Sequence, residues 1–232
     1  MRLDKYLADM GAGTRSGLKK AIRAGRVTVN GEPAKDPGAQ VSPEDEVRMD
    51  GERIAYEQYV YYMLHKPAGV VSATRDPRER TVIDLIDERG RRDLFPVGRL
   101  DRDTEGLLII TNDGDLAHRL LSPKKHVDKV YFARLDKPVG EEEKRLFAQG
   151  MRVDETLTAM PADLEILSPA SEVKITVREG KFHQVKRMFE AVGRKVLYLK
   201  RLSMGPLCLD ESLPAGEYRR LTEEEESAIM NT

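Results

Sequence analysis

The chain has 232 residues, of which 40% are hydrophobic and 34% charged, a composition that suits one large or two modest domains. No apolar stretch approaches the about 18 residues of a membrane helix, and the single cysteine, Cys208, excludes an intramolecular disulfide, so we expect a cytoplasmic protein with no membrane partner. The formal net charge of −1 conceals basic segments: residues 1–26 balance at +5 and residues 178–201 at +6, which leaves room for a nucleic-acid partner.

Residues 1–50 are predicted to form a small module of two helices followed by a hairpin. Thr14 is the predicted N-cap of the second helix, and Gly25 is its predicted end. The alternation around Asn30-Gly31 is a strong hairpin signal, because both turn positions require a positive φ.

Three basic side chains, Arg15, Lys19 and Arg23, lie four residues apart and line one face of the second predicted helix, and Arg26 follows at its exit. On a lone helix, a solvated face is the simplest interpretation of such a stripe. Here the whole pattern resembles the S4 RNA-binding module, which implies that these four residues bind RNA. The resemblance is carried by Arg15, Ser16, Lys19, Arg23, Gly25, Arg26, Val27, Val29, Asn30 and Gly31.

Residues 50–58 are predicted to form a linker, and a β-rich run at 59–64 follows, with a turn at 65–69. Further strands are predicted at 107–111, 130–135, 172–178, 196–199 and 207–209. Helices are predicted at 82–88, 115–121, 141–149 and 181–192. Because strands and helices are mixed without a regular βαβ rhythm, the sequence predicts an α+β domain rather than a doubly wound one.

The most informative segment runs from Gly98 to Gly114, where Asp101 precedes an unbroken apolar strand and lies between Arg99 and Arg102. A carboxylate at the mouth of a buried strand, beside cations that favour its ionised form, is typical of a reactive acid. An Asp that caps a turn is the structural alternative.

Metal and cofactor chemistry find little support in the sequence. The acids at 101, 103, 113 and 115 suggest a magnesium-dependent nuclease, but the two arginines would compete with a cation for them. The four histidines are scattered, and neither a Gly-x-Gly-x-x-Gly run after a strand nor a Walker A loop is present. We therefore predict no metal and no cofactor.

Two further segments supply candidate partners for Asp101. In the predicted helix 181–192, Phe182, Val185 and Phe189 form the predicted buried stripe. Lys186 projects beside that stripe, whereas the side chain that follows it projects about 100° further round. Tyr131, at the start of a predicted strand, either stacks on a base or packs as an ordinary core residue.

Together these pieces resemble the rRNA pseudouridine synthases, and within them the branch that modifies small-subunit rRNA. The resemblance spans essentially the whole chain, and one departure from it is His65, where Asn is common before Lys-Pro. It is carried by Gly98-Arg99-Leu100-Asp101-x-x-Thr104-x-Gly106-Leu107-Leu108, Lys129-x-Tyr131 and His183-Gln184-Val185-Lys186-Arg187-Met188. It implies an S4-like αα-β module at 1–55, linked to a catalytic domain at 59–232 with a mixed, mainly antiparallel sheet flanked by helices.

The resemblance also implies the chemistry. Asp101 is the essential carboxylate, which attacks the sugar C1′ or removes a 2′ proton; Lys186 is its cation, and Tyr131 stacks on the uracil. Arg99, Thr104 and Arg187 bind the RNA, while Asp103, Asp113 and Asp115 are turn and capping residues. The expected substrate is ribosomal RNA or a pre-ribosomal small-subunit particle, and the expected state is a monomer. Modification of large-subunit rRNA and a non-catalytic ribosome-associated protein are the alternatives.

Overall fold

A computed structural model describes residues 1–87 and 93–232 of the chain. These residues divide into two compact units. The first comprises Met1–Val60 with the described residues of 87–94, and the second comprises Tyr61–Ile86 and Phe95–Thr232. None of the helices in the described ranges is long and apolar enough to cross a membrane.

The first unit consists of two short helices and a small antiparallel sheet. Its helices are α1 (Leu3–Asp9) and α2 (Arg15–Arg23), and its strands are β1 (Val27–Val29), β2 (Glu32–Pro33), β3 (Val47–Met49) and β4 (Glu52–Ile54). The strands pair in the order β2-β1-β3-β4. The helices pack on the sheet through a core that includes Leu7, Leu18, Ile22 and Val47.

Local sequence signals determine the ends of these elements. The Thr14 side chain accepts a hydrogen bond from Gly17 N at 3.2 Å, which confirms the predicted N-cap of α2. The β1–β2 hairpin turns at Asn30 and Gly31, whose φ angles are 53° and 86°, as predicted. The linker prediction is wrong for Glu52–Ile54, because these residues pair with β3.

The second unit contains four helices and the longer strands. Its helices are α3 (Gly114–Leu121), α4 (Glu141–Gln149), α5 (Gln184–Ala191) and α6 (Glu223–Met230), with 3-10 turns at Ile83–Leu85 and Pro123–Lys125. Its strands are β5 (Tyr61–Lys66), β6 (Phe95–Pro96), β7 (Glu105–Thr111), β8 (Lys129–Leu135), β9 (Met151–Arg152), β10 (Thr158–Ala159), β11 (Asp163–Ile166), β12 (Glu172–Val177), β13 (Val196–Met204), β14 (Leu207–Cys208) and β15 (Tyr218–Arg220).

One mixed sheet organises the described part of this unit, with the strand order β11-β12-β8-β13-β7-β5-β15. β13 and β7 are parallel, whereas the other neighbours along this order are antiparallel, which confirms the α+β prediction with a mixed, mainly antiparallel sheet. Nearly every residue of β5 and β7 is buried, as their apolar sequences predict. The centre of the sheet is therefore a rigid base for the loop that enters β7.

Gly106 allows the parallel contact between β7 and β13. A Cβ atom at this position would lie 2.2 Å from the carbonyl oxygen of Arg201, and the φ of Gly106 is 105°. Only glycine permits this approach, which explains why a glycine directly precedes the apolar run so close to Asp101.

Two predicted elements of this unit differ in the structure. His65 and Lys66 were predicted in a turn but complete β5, where His65 pairs with Leu107 and Lys66 with Gly106. The helix predicted at 82–88 is a 3-10 turn at Ile83–Leu85, and its last residue lies outside the described residues.

Candidate active site

Asp101 and Lys186 form an ion pair at the wall of a cavity in the second unit. Lys186 Nζ lies 2.9 Å from Asp101 Oδ2, and each side chain is 22% exposed. Asp101 lies in the loop that enters β7, and Lys186 is the third residue of α5. His183 Nε2 lies 3.5 Å from the other carboxylate oxygen, Oδ1. The predicted pairing of this carboxylate with a cation from α5 is present in the structure.

Lys186 contacts a second carboxylate, that of Asp103, at 2.6 Å. Burial opposes the charged form of Lys186, but its hydrogen bonds to Asp103 and Asp101 raise its pKa. Partial desolvation by neighbouring atoms opposes ionisation of Asp103, yet the hydrogen bond from Lys186 lowers its pKa. Asp103 lies in the turn at 102–103, as predicted, and its carboxylate also pairs with a cation of α5. The Asp103 side chain is 74% exposed and that of Asp101 is 22% exposed. Asp101 is therefore the more buried of the two carboxylates that contact Lys186.

Two further acids, Asp113 and Asp115, lie at the N-terminus of α3. Asp113 is the N-cap of α3, since its side chain accepts a hydrogen bond from Leu116 N at 3.0 Å, and it also accepts one from the Tyr61 hydroxyl at 2.8 Å. Asp115 is exposed in the first turn. The capping role predicted for Asp113 is confirmed.

A buried lysine holds the loop that carries Asp101. Lys66 Nζ donates hydrogen bonds to the carbonyl oxygens of Thr104 at 2.8 Å, Pro67 at 3.0 Å and Arg102 at 3.2 Å. The residue is fully buried, and burial lowers its pKa to about 8. Sequence reasoning missed Lys66 because it placed this residue in a turn. The available signal was a charged residue directly after an apolar strand.

Ser72 holds the same loop from its other side. The Ser72 hydroxyl donates a hydrogen bond to Leu100 O at 2.8 Å and accepts one from Leu100 N at 3.0 Å. These bonds and those of Lys66 attach the backbone on both sides of Asp101 to neighbouring segments. The carboxylate is thereby positioned before any substrate binds.

The cavity beside the ion pair has a volume of about 660 Å³, within the range of about 300–1,000 Å³ typical of small-ligand sites. Arg99, Asp101 and Tyr131 line it, and Arg99 is exposed with no partner among the described residues. A smaller recess shares these residues and is lined also by Lys186 and Thr104. Thr104 is 1% exposed, and its hydroxyl has no partner within the described residues.

Tyr131 belongs to the buried face of β8, where it is 9% exposed. It pairs with Arg201 of β13 on one side and with Ile175 of β12 on the other. Because Tyr131 also lines the cavity with Asp101, packing in the sheet and contact with a ligand are compatible for this ring.

Arg187 lies outside both cavity linings, although it follows Lys186 directly. Its guanidinium is bonded to the Asp154 carboxylate and lies 2.5 Å from the Thr156 hydroxyl. The bond from Arg187 lowers the pKa of Asp154. These contacts tie Arg187 to the segment after β9, and the RNA contact predicted for this residue stays a prediction.

The prediction that Phe182 is buried is wrong. The helix α5 begins only at Gln184, because His183 has a left-handed φ of 50°. Phe182 is 71% exposed, lines the cavity and stacks on the His183 ring, with the two ring centres 3.8 Å apart. The residues of α5 that are buried are Gln184, Val185, Met188 and Phe189.

In the first unit, Arg15, Lys19 and Arg23 are exposed on α2, as their spacing predicts. None of the three has a carboxylate partner in the described part of the chain. Arg26 differs, because its Nε donates a hydrogen bond to Asp50 Oδ1 at 2.8 Å.

Comparison with known proteins decides the family. A family model described as RNA pseudouridylate synthase matches residues 60–191, and an S4 domain model matches residues 1–47. The chain belongs to the RNA pseudouridylate synthase family. The predicted family and the predicted S4 domain at the N-terminus are confirmed, and the cavity beside Asp101 is the candidate active site of this synthase.

Similarity to individual synthases extends over nearly the whole chain. The uncharacterized RNA pseudouridine synthase YtzG of Bacillus subtilis is 49% identical, with 97% of this chain and 96% of that protein covered. Ribosomal small subunit pseudouridine synthase A of Escherichia coli K12 is 41% identical, with 99% and 100% covered. A crystal structure of a pseudouridylate synthase matches with a TM-score of 0.70 and 42% identity, covering 99% of both chains.

Proposed function

We propose that this synthase converts a uridine of small-subunit ribosomal RNA to pseudouridine, with Asp101 as the catalytic carboxylate. The observation that carries the proposal is the ion pair of Asp101 and Lys186 at the wall of the cavity that Tyr131 lines. The choice of RNA rests on the similarity to small subunit pseudouridine synthases, which covers 99% of the chain.

The reaction is an isomerisation that needs no oxidant, reductant or added group. The bond between N1 of uracil and C1′ of the ribose breaks, the base turns, and C5 forms the new bond to C1′. The proton on C5 is released, and N1 gains a proton. Asp101 enters this sequence by attack on C1′ or by removal of the 2′ proton. Both steps use the carboxylate that the ammonium of Lys186 contacts at 2.9 Å.

Access to the uracil requires that the nucleotide leave its stack, at a cost of a few kcal/mol. Tyr131 offers a ring against which the extruded uracil stacks. The exposed Phe182–His183 pair offers a second aromatic surface at the same cavity, for a neighbouring base. Arg99 and the basic stripe Arg15, Lys19 and Arg23 supply phosphate contacts.

The decisive experiment uses small-subunit rRNA that carries tritium at C5 of uridine. We expect the wild-type protein to release tritium and Asp101→Asn to release none while it retains its fold and its RNA affinity. Asp115→Asn, an exposed acid on α3, is the matched control and keeps wild-type release. Substantial release by Asp101→Asn refutes the role of this carboxylate.

The same assay tests the substrate. Tritium release from large-subunit rRNA but not from small-subunit rRNA refutes the proposal that small-subunit rRNA is the substrate. Absence of release from both RNAs, with RNA binding retained, indicates a non-catalytic ribosome-associated protein instead.

A further inference from the structure

Two buried cations lie on the cavity wall outside the Asp101–Lys186 pair. Lys129 and Arg201 both line the cavity, and they are only 6% and 2% exposed. Lys129 is two residues before Tyr131 on β8, so the two side chains are on one face of that strand. Arg201 of β13 is the cross-strand partner of Tyr131. The three side chains therefore form one continuous part of the wall.

These cations have neutral partners only. Lys129 Nζ donates a hydrogen bond to Val127 O at 2.8 Å, and Arg201 Nε donates one to Leu107 O at 2.8 Å. Arg201 Nη2 is buried and has no partner among the described residues. Within residues 1–87 and 93–232, no carboxylate lies within 4.0 Å of either cationic group.

The acids that line the cavity or adjoin Lys129 already have partners; the exposed Asp76, for example, accepts hydrogen bonds from the backbone N–H groups of Arg78 and Glu79. Asp128, beside Lys129 in the sequence, pairs with Arg178 at 3.0 Å. Glu179 lines the cavity but pairs with Lys181 at 2.9 Å. Asp101 pairs with Lys186. Two positive charges in the buried wall thus have no ion-pair partner within 4.0 Å among the described residues, which is costly unless a ligand supplies the opposite charge.

We propose that Lys129 and Arg201 form a binding site for a phosphate group of the RNA backbone, next to the ring of Tyr131. This inference rests on the proposed function, because it assigns part of the RNA to the same cavity. A phosphate supplies both the negative charge and the acceptor oxygens that a guanidinium and an ammonium require. The carbonyl groups of uracil are acceptors too, but they are neutral and leave the charge uncompensated.

The electrostatics of the cavity wall agree with this assignment. Burial and, to a smaller extent, the charge of Arg201 lower the pKa of Lys129 to about 8. An anion between the two cations would favour the protonated form of Lys129 again. Ligand charge and protein charge are therefore complementary at this part of the wall.

The fold holds this phosphate site in a fixed relation to Asp101. Gly106 allows β7 to contact the backbone of Arg201 directly, and the side chain of Arg201 is bonded to Leu107 of the same strand. Asp101 lies in the loop that leads into β7. The strand that follows the catalytic loop therefore also positions the phosphate ligand.

The test compares the binding of uridine, uridine 5′-monophosphate and uridine 3′-monophosphate to the full-length protein by titration calorimetry. We expect one of the two monophosphates to bind about tenfold more tightly than uridine, because hydrogen bonds to charged groups contribute that much. Whichever isomer is preferred identifies the phosphate concerned, on the 5′ or the 3′ side of the target uridine.

Lys129→Met removes one charge and should abolish most of this preference without weakening uridine binding, whereas Lys129→Arg should retain it. Lys200→Met is the matched control, since Lys200 pairs with Phe132 on the neighbouring strand and lies outside the cavity lining. If Lys129→Met does not fold, the affinities of the wild-type protein for the three ligands test the proposal by themselves.

Equal affinity of the wild-type protein for uridine and both monophosphates overturns the proposal. So does a Lys129→Met variant that weakens uridine and the preferred monophosphate equally. Neither measurement depends on turnover. Absence of a monophosphate preference in the wild-type protein therefore refutes the phosphate site, whereas a missing tritium release refutes the proposed function.

Discussion

The ammonium of Lys186 lies 2.9 Å from the Asp101 carboxylate, whereas the guanidinium of the adjacent Arg187 is bonded to Asp154. Consecutive residues of α5 thus have different tasks, because successive side chains of a helix project about 100° apart. One side chain reaches the cavity and the other ties the helix to the segment after β9.

This difference predicts opposite phenotypes for two neighbouring substitutions. Lys186→Met should lower turnover by about 100-fold or more, because it removes the charge beside Asp101. Arg187→Met should keep most of the turnover but lower the midpoint of thermal unfolding. Tritium release and thermal denaturation of both variants measure the two effects. Greater loss of turnover in Arg187→Met contradicts the assignment of Lys186.

Lys66 should affect stability and turnover together. Lys66→Met leaves three loop carbonyls without their donor, and we expect a loss of about 1–3 kcal/mol in the free energy of unfolding. We also expect a lower kcat, because the loop around Asp101 is less well positioned. Urea unfolding and single-turnover kinetics measure both, with the exposed Lys137→Met as control.

The pKa of Lys66 also predicts how the stability difference between wild type and Lys66→Met changes with pH. The pKa of Lys66 is about 8 in the folded protein and 10.5 ordinarily, so the unfolded chain binds more protons between these values. The contribution of Lys66 to the free energy of unfolding therefore rises with pH across this window. The stability difference between wild type and Lys66→Met should grow from pH 8 to pH 10, and a constant difference contradicts the assignment.

Phe182 should matter for RNA binding and not for folding. Its side chain is 71% exposed, so Phe182→Ala should leave the midpoint of thermal unfolding unchanged. Loss of one stacking contact should weaken RNA binding about tenfold. Leu197→Ala is the control, because Leu197 is 59% exposed but lies outside the cavity lining. Unchanged RNA affinity of Phe182→Ala removes this residue from the interface.

The basic stripe on α2 should determine part of the salt dependence of RNA binding. Replacement of Arg15, Lys19 and Arg23 by Gln should reduce the slope of log affinity against log salt concentration by about 2–3. Arg26→Gln should change the slope less, because Arg26 already pairs with Asp50. Filter binding at several salt concentrations measures this. Equal slopes for the triple variant and wild type exclude the stripe from RNA binding.

Much of the fold and of the candidate site follows from local sequence patterns. Asp101 before an apolar strand, the helical position of Lys186 and the Asn30-Gly31 turn depend on residues close together in the chain. Helical periodicity, strand alternation and turn conformation are local properties, so they can be read before the chain is folded. The N-caps at Thr14 and Asp113 and the helix α4 (Glu141–Gln149) were predicted correctly because they too depend on residues close together in the chain.

Contacts between distant segments were not predictable in this way. The role of Lys66 was not predicted because two of its three acceptors, Arg102 O and Thr104 O, belong to the loop around Asp101, which is distant in the sequence. Phe182 looked buried because helical spacing alone cannot show that His183 delays the start of α5. The ion pair of Asp103 was not predicted because its partner, Lys186, comes from another element.

The sequence by itself determined the family and predicted which residues carry the chemistry: a carboxylate, a cation and an aromatic ring in motifs that resemble the pseudouridine synthases. Only the tertiary structure decided which side chains share the cavity. In the structure, Arg187 lies outside the cavity lining and Phe182 is exposed. The buried Lys129 and Arg201 lie beside Tyr131. The physical reason is that burial and charge compensation depend on strand pairing across the whole sheet, and Gly106 permits one such pairing, between β7 and β13.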